Sequence, residues 1–114
     1  MMDKDLVRLN REIDKLKKKV RESISAGVSL SADAVKKEIR NRAPSDTGEL
    51  RDSIKTAKNG TVVSVYSDSD HAGFVEFGTS KMAAKPFFRP AIDTSKSAVF
   101  STMKKTIQDA IHDN

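Results

Sequence analysis

Apolar positions at Leu6, Leu9, Ile13, Leu16, Val20, Ile24, Val28, Val35 and Ile39 recur at steps of three and four with a single step of seven. That spacing lays one apolar stripe along one helical face. No proline interrupts the chain from Lys4 to Arg42, so the pattern predicts a long N-terminal helix. Up to Val20 the steps alternate three and four, as in a coiled-coil seam. Around "SISAGVSLSAD" the seam loosens, because Gly27 and four serines lower helix propensity there. One helix or two collinear helices hinged near Gly27 both fit. At full length the helix spans roughly 57 Å, more than a domain of this size is wide. Its first turns must project, fold back or meet another chain.

Pro44 stops this helix by biasing Ala43 toward extended geometry. In "PSDTGELRDSI", Asp46 or Thr47 can cap a short helix, with Glu49 in its first turn. "SIKTAKNGTVVSVYSD" then reads as a β-hairpin turning at Asn59-Gly60. Pairing across that turn sets Ile54 opposite Val65 and Thr56 opposite Val63. Ile54, Thr56, Val63 and Val65 share an inward face; Lys55, Ala57, Val62, Ser64 and Tyr66 share the outer one. "HAGFVEFG" fits a short helix ending at Gly78 or a short strand. Pro90 suits the first residue of a last helix, whose stripe is Ala91, Ile92, Val99, Met103, Ile107, Ala110 and Ile111. The expected class is α+β, with a long N-terminal helix and a C-terminal helix packed on a small antiparallel sheet containing the hairpin, about 54–67. We read residues 1–25 as a basic helical arm and residues 26–114 as a single domain.

Length and composition narrow the function classes. The chain has 114 residues, 37% hydrophobic and 32% charged, with 5% aromatic. So polar a chain exposes much helical surface or shares its apolar surface with other subunits. Cysteine is absent, which removes disulfides and thiolate metal sites. No apolar run approaches the ~20 residues of a membrane span, and "MMDKDLVRLN" lacks an apolar signal core, so we expect no membrane partner and a cytoplasmic site of synthesis. The net charge of +5 is uneven: residues 1–42 carry twelve basic against seven acidic side chains, and residues 43–114 carry nine of each.

The strongest basic run, "KLKKKVR", contains Lys15, Lys17, Lys18, Lys19 and Arg21. These side chains suit DNA-backbone contact through phosphate neutralisation. On a helix they spread around every face except that of Leu16 and Val20, and no aromatics interleave them for base stacking, so a solvated helix face fits better. "SDSDH" places Asp68, Asp70 and His71 close together, with Glu76 nearby, but the glycine and bidentate Glu of a calcium loop are missing, and a solvated turn is the simpler reading. No metal and no cofactor is expected. Neither a nucleophile elbow nor paired carboxylates mark a catalytic centre, and catalysis is not expected.

"VEFGTSKMAAKPFFRP" remains. It gathers Phe77, Met82, Phe87 and Phe88 among Gly78, Thr79, Lys81, Lys85, Pro86 and Arg89 without helical or strand periodicity. At least one phenylalanine should plug the core. The others, with an adaptable Met between prolines, have the composition of a protein–protein contact at low ordering cost. Truncating Phe87 and Phe88 together is expected to leave the fold intact and break docking.

Two blocks, "APSDTGELRDSI" and "AGFVEFGTSKMAAKPFFRPAI", flank the hairpin. Together they resemble the tail-completion or head–tail joining proteins of long-tailed bacteriophages, the gene-product-ten-like family of Hong Kong-type phages. The carrying residues are Ala43-Pro44, Asp46-Thr47-Gly48, Leu50 and Ser53-Ile54, then Ala72, Val75 to Thr79, Pro86-Phe87 and Arg89-Pro90-Ala91. The resemblance covers roughly residues 30–110 and assigns nothing to the first ~25. It implies a non-enzymatic virion protein of bacteriophage or prophage, assembled in the bacterial host cytoplasm as a ring homo-oligomer at the neck. Implied partners are the connector and the tail-tube or tail-terminator proteins, with non-specific passage of DNA through the ring. Two other classes fit the sequence: a small basic nucleic-acid-binding or regulatory protein using the N-terminal helix, and a helical adaptor pairing through its first heptad-like positions.

Overall fold

A computed structural model describes residues 3–44 and 48–112. The stripe from Leu6 to Ile39 forms a single helix, α1 (Lys4–Arg42), with no break at Gly27. The Asp3 side chain caps it by accepting the Asp5 N–H at 3.3 Å. It ends where Ala43, extended ahead of Pro44, donates its N–H to the Ile39 carbonyl at 3.0 Å. The cap assigned to Asp46 or Thr47 lies outside the described residues. A one-turn helix, α2 (Glu49–Asp52), leads into β1 (Ile54–Asn59) and β2 (Val62–Ser67), which pair antiparallel. A third short helix, α3 (His71–Phe77), and a long final one, α4 (Phe88–His112), complete the order.

The hairpin departs from expectation in register. Ile54 pairs with Ser67 and Thr56 with Val65, two residues along from the predicted alignment, and Asn59 pairs with Val62. The two-residue turn is therefore Gly60-Thr61. Gly60 alone in that turn has positive φ, at 63°, which suits a type II′ turn with glycine first in place of the expected Asn-Gly turn. A shift of two preserves the faces. Ile54 is buried and Thr56, Val63 and Val65 are half-buried, while Lys55, Ala57, Val62, Ser64 and Tyr66 are exposed.

α4 packs antiparallel on α1. Arg42 donates to the Thr94 hydroxyl at 3.0 Å near one end. Farther along, the helices approach so closely at Gly27 that an added Cβ would lie 2.9 Å from the Met103 sulfur. Of the predicted α4 stripe, Ala91 and Ala110 are buried and Val99, Met103 and Ile107 half-buried, whereas Ile92 and Ile111 are exposed. The core is small. Ile39, Leu50, Ile54, Phe87 and Ala91 form its buried centre, flanked by Val35, Val65, Val75 and Phe88. α1 lines it on one side and the hairpin, α2 and the head of α4 close it. Every residue from Asp3 to Lys18 is exposed.

Candidate docking surface

The aperiodic segment 78–87 is a braced turn. Gly78 ends α3 with its N–H on the Phe74 carbonyl at 2.8 Å and then turns at φ 75° and ψ 177°, backbone that is essentially glycine-only. A Cβ there would stand 2.8 Å from the Ala84 nitrogen and 2.9 Å from the Met82 carbonyl oxygen. Thr79 and Met82 exchange backbone hydrogen bonds of 2.8 and 3.3 Å, and Lys81 N–H donates to the Thr79 hydroxyl. Lys85 N–H then returns to the Val75 carbonyl at 2.7 Å. Both ends of the turn are thus fastened to α3.

Glu76 provides a further tie. Its carboxylate accepts the backbone N–H groups of Phe87 and Phe88, both at 2.8 Å, and of Arg89 at 3.3 Å. These donors open α4, where no preceding carbonyl is available to them. Pro90 follows with no N–H, and Ala91 makes the first bond of the ladder, to the Phe87 carbonyl. Partial burial of Glu76 pushes its pKa up, but the three amides and the Arg89 guanidinium outweigh it and hold the carboxyl below its ordinary value. The sequence singles out Glu76 as a neighbour of "SDSDH" and as part of the block that carries the family resemblance, and not as a helix cap. The available signal was a carboxylate shortly before a helix whose first turn contains proline and has no Ser, Thr, Asp or Asn ahead of it.

The four aromatic and sulfur side chains singled out in the loop divide. Phe87 has no exposed surface and lies at the core centre. It therefore presents nothing to a partner in this conformation, which corrects its placement among the surface residues. Truncating it would open a cavity of the kind that costs about 3–5 kcal/mol, so the expectation that a Phe87, Phe88 double truncation leaves the fold intact does not stand. Phe88 is half-buried, its ring 5.0 Å from that of Phe87. Phe77 is 83% exposed and Met82 44%. Phe74, one turn before Phe77 on the same face of α3 and not singled out from the sequence, is 52% exposed. Thr79, Lys81, Lys85, Pro86 and Arg89 are exposed along this segment, and Gly78 is the half-buried pivot.

The other candidate residues lie elsewhere. Lys15, Lys17, Lys18 and Arg21 are exposed on the first half of α1, and Lys19 is half-buried. Of the groups weighed as metal ligands, Asp68 pairs with Lys55, Glu76 takes the opening amides of α4, and Asp70 and His71 stand exposed at the start of α3. Among the described residues, no helix is long and apolar enough to cross a membrane.

No curated protein and no solved structure matches the chain. One family model does, described as "Bacteriophage HK97-gp10, putative tail-component", over residues 8–78. The match takes in α1 from Arg8, α2, the hairpin and α3 to its terminal glycine. It begins well before the stretch on which the resemblance was read and stops ahead of the Pro86 to Ala91 block, so most of the N-terminal arm falls within the family pattern. With well over half of its length matched, the chain belongs to the HK97-gp10-like family of bacteriophage tail components.

Proposed function

We propose that this chain is a non-enzymatic structural subunit of the virion that assembles as a ring at the head–tail junction. It completes the tail or joins it to the head connector, meeting connector and tail-tube or tail-terminator proteins. In this reading the first twenty-five residues are an arm and the remainder a body whose docking element is the ridge of Phe74, Phe77 and Met82, rimmed by Lys81, Lys85 and Arg89. The observation that carries the reading is Phe77: a large apolar side chain left in water on a backbone fastened at Gly78, Glu76 and Lys85. A preorganised apolar anchor with a polar rim suits protein docking, because little order remains to be imposed on binding.

The test is a Phe77→Ser, Met82→Ser double variant in a phage carrying this gene. Phe77 is largely solvated and Met82 close to half exposed, so unfolding stability should change by no more than about 0.5 kcal/mol for each substitution. Electron microscopy should show separate full heads and tails. Normal infectious particles from a folded variant would reject the ridge as the mating surface.

One observation favours a second reading, a basic nucleic-acid-binding or regulatory protein: Lys15, Lys17, Lys18 and Arg21 all stand exposed on one helix. Mobility shifts with duplex DNA at two salt concentrations separate the two. Micromolar binding with a steep salt slope supports the second reading, and weak, salt-insensitive retention removes it.

A further inference from the structure

We infer that the exposed first half of α1 pairs antiparallel with the same segment of a second copy of this chain. The length available is set by α4. Met103 and Thr106 lie against Gly27, so the antiparallel α4, ending at His112, stops alongside residues 18–21. Lys19 and Val20 are accordingly the first partly buried residues of α1, and everything from Asp3 to Lys18 is exposed. On that free segment Leu6, Leu9, Ile13 and Leu16 form a strict three-four seam, each more than a third exposed. A narrow seam of this spacing is the surface of a two-helix coiled coil.

The charges beside the seam select the occupant and its direction. With Leu6 and Ile13 as a positions and Leu9 and Leu16 as d positions, the flanking g positions are Asp5, Glu12 and Lys19. The flanking e positions are Asp3, Asn10 and Lys17. The early flanks are acidic and the late ones basic. An antiparallel helix of the same sequence reverses that order across the seam. Asp5 then faces Lys19 of the second copy and Asp3 faces Lys17, and the two-fold axis repeats both pairs. On the axis Asn10 meets Asn10, and Glu12 meets Glu12 with Lys15 already beside it at 3.5 Å. A parallel pairing offers only Glu12 with Lys17. Antiparallel pairing also sets the two bodies at opposite ends of the shared segment, where they do not compete for space. The pairing leaves the Phe77 ridge untouched, so it stands or falls separately from the tail reading.

The test uses the full chain. Sedimentation over a rising concentration series should show monomer passing to dimer, and a Leu9→Asp, Ile13→Asp variant should stay monomeric. Monomer throughout for the wild type, or a dimer that survives in the variant, overturns the inference. Direction is read from single cysteines, which the chain otherwise lacks. Asp5→Cys mixed with Lys19→Cys should link through a short bis-maleimide. Asp5→Cys alone should not, since the two copies of residue 5 stand roughly 20 Å apart along the axis. Efficient linking of Asp5→Cys to itself would mean parallel pairing and would also overturn the inference.

Discussion

Glu76 belongs to a seven-residue helix with no fully buried side chain, yet its carboxylate satisfies the opening amides of a helix eleven residues away. Charge-assisted bonds of this kind are individually worth more than neutral ones, and Glu76→Ala should lower unfolding stability by about 2 kcal/mol in denaturant titration. The same residue makes a pH prediction. Its folded pKa lies below the ordinary value, so its contribution is complete above the unfolded-state pKa and is lost as pH falls through the folded one. Melting temperatures of the wild type and Glu76→Gln should therefore differ at pH 7 and converge as the pH is lowered past the carboxylate range. A constant gap between pH 7 and pH 3 would show that the carboxylate's charge is not what holds the helix start. No periodicity in the sequence announced this contact, since a bond between residues 76 and 87 leaves no periodic trace; its one signal was the missing capping residue ahead of α4. The division of labour between Phe77 and Phe87 was hidden for the same reason. In an aperiodic turn, only the path of the backbone decides which ring faces inward.

Elements were more legible than single contacts. The stripe from Leu6 to Ile39 specified α1, and its continuity through Gly27 follows from α4, whose Met103 and Thr106 cover the glycine from outside. What a monomeric helix would lose in propensity there, close helix approach supplies. Gly27→Leu should consequently push α4 away and cost about 1–3 kcal/mol by overpacking, seen as a lower melting temperature by circular dichroism. A substitution as well tolerated as one on the exposed arm would mean the helices do not meet at that point. The hairpin was legible through alternating apolar residues, but its register was not. Both Asn59-Gly60 and Gly60-Thr61 place the same side chains inward, so burial could not distinguish two alignments that differ by an even shift. Turn geometry settled it.

At the level of the whole molecule, 114 residues extend over 74 × 23 × 22 Å with a radius of gyration of 20.2 Å. A compact chain of this size would have about 13 Å. The excess comes from α1 running past the end of α4. Because every residue from 3 to 18 is exposed, deleting them should leave the body's unfolding free energy within about 0.5 kcal/mol of the full protein. Small-angle scattering from dilute solution should record a marked contraction. A large loss of stability on deletion, measured at a concentration where the full chain is monomeric, would mean that the arm folds back on the body in solution.

The tethering of α3 has a mechanical corollary. No side chain of that helix is fully buried, and its hold on the rest runs through Ala72 and Val75 at the edge of the core, the Glu76 carboxylate and a few backbone bonds at the base of the turn. Such a latch can open without dismantling the hydrophobic centre. A protease cutting at Lys81 should therefore yield two pieces that still travel together under native conditions, with the buried cluster of Ile39, Leu50, Ile54, Phe87 and Ala91 acting as the rivet between them.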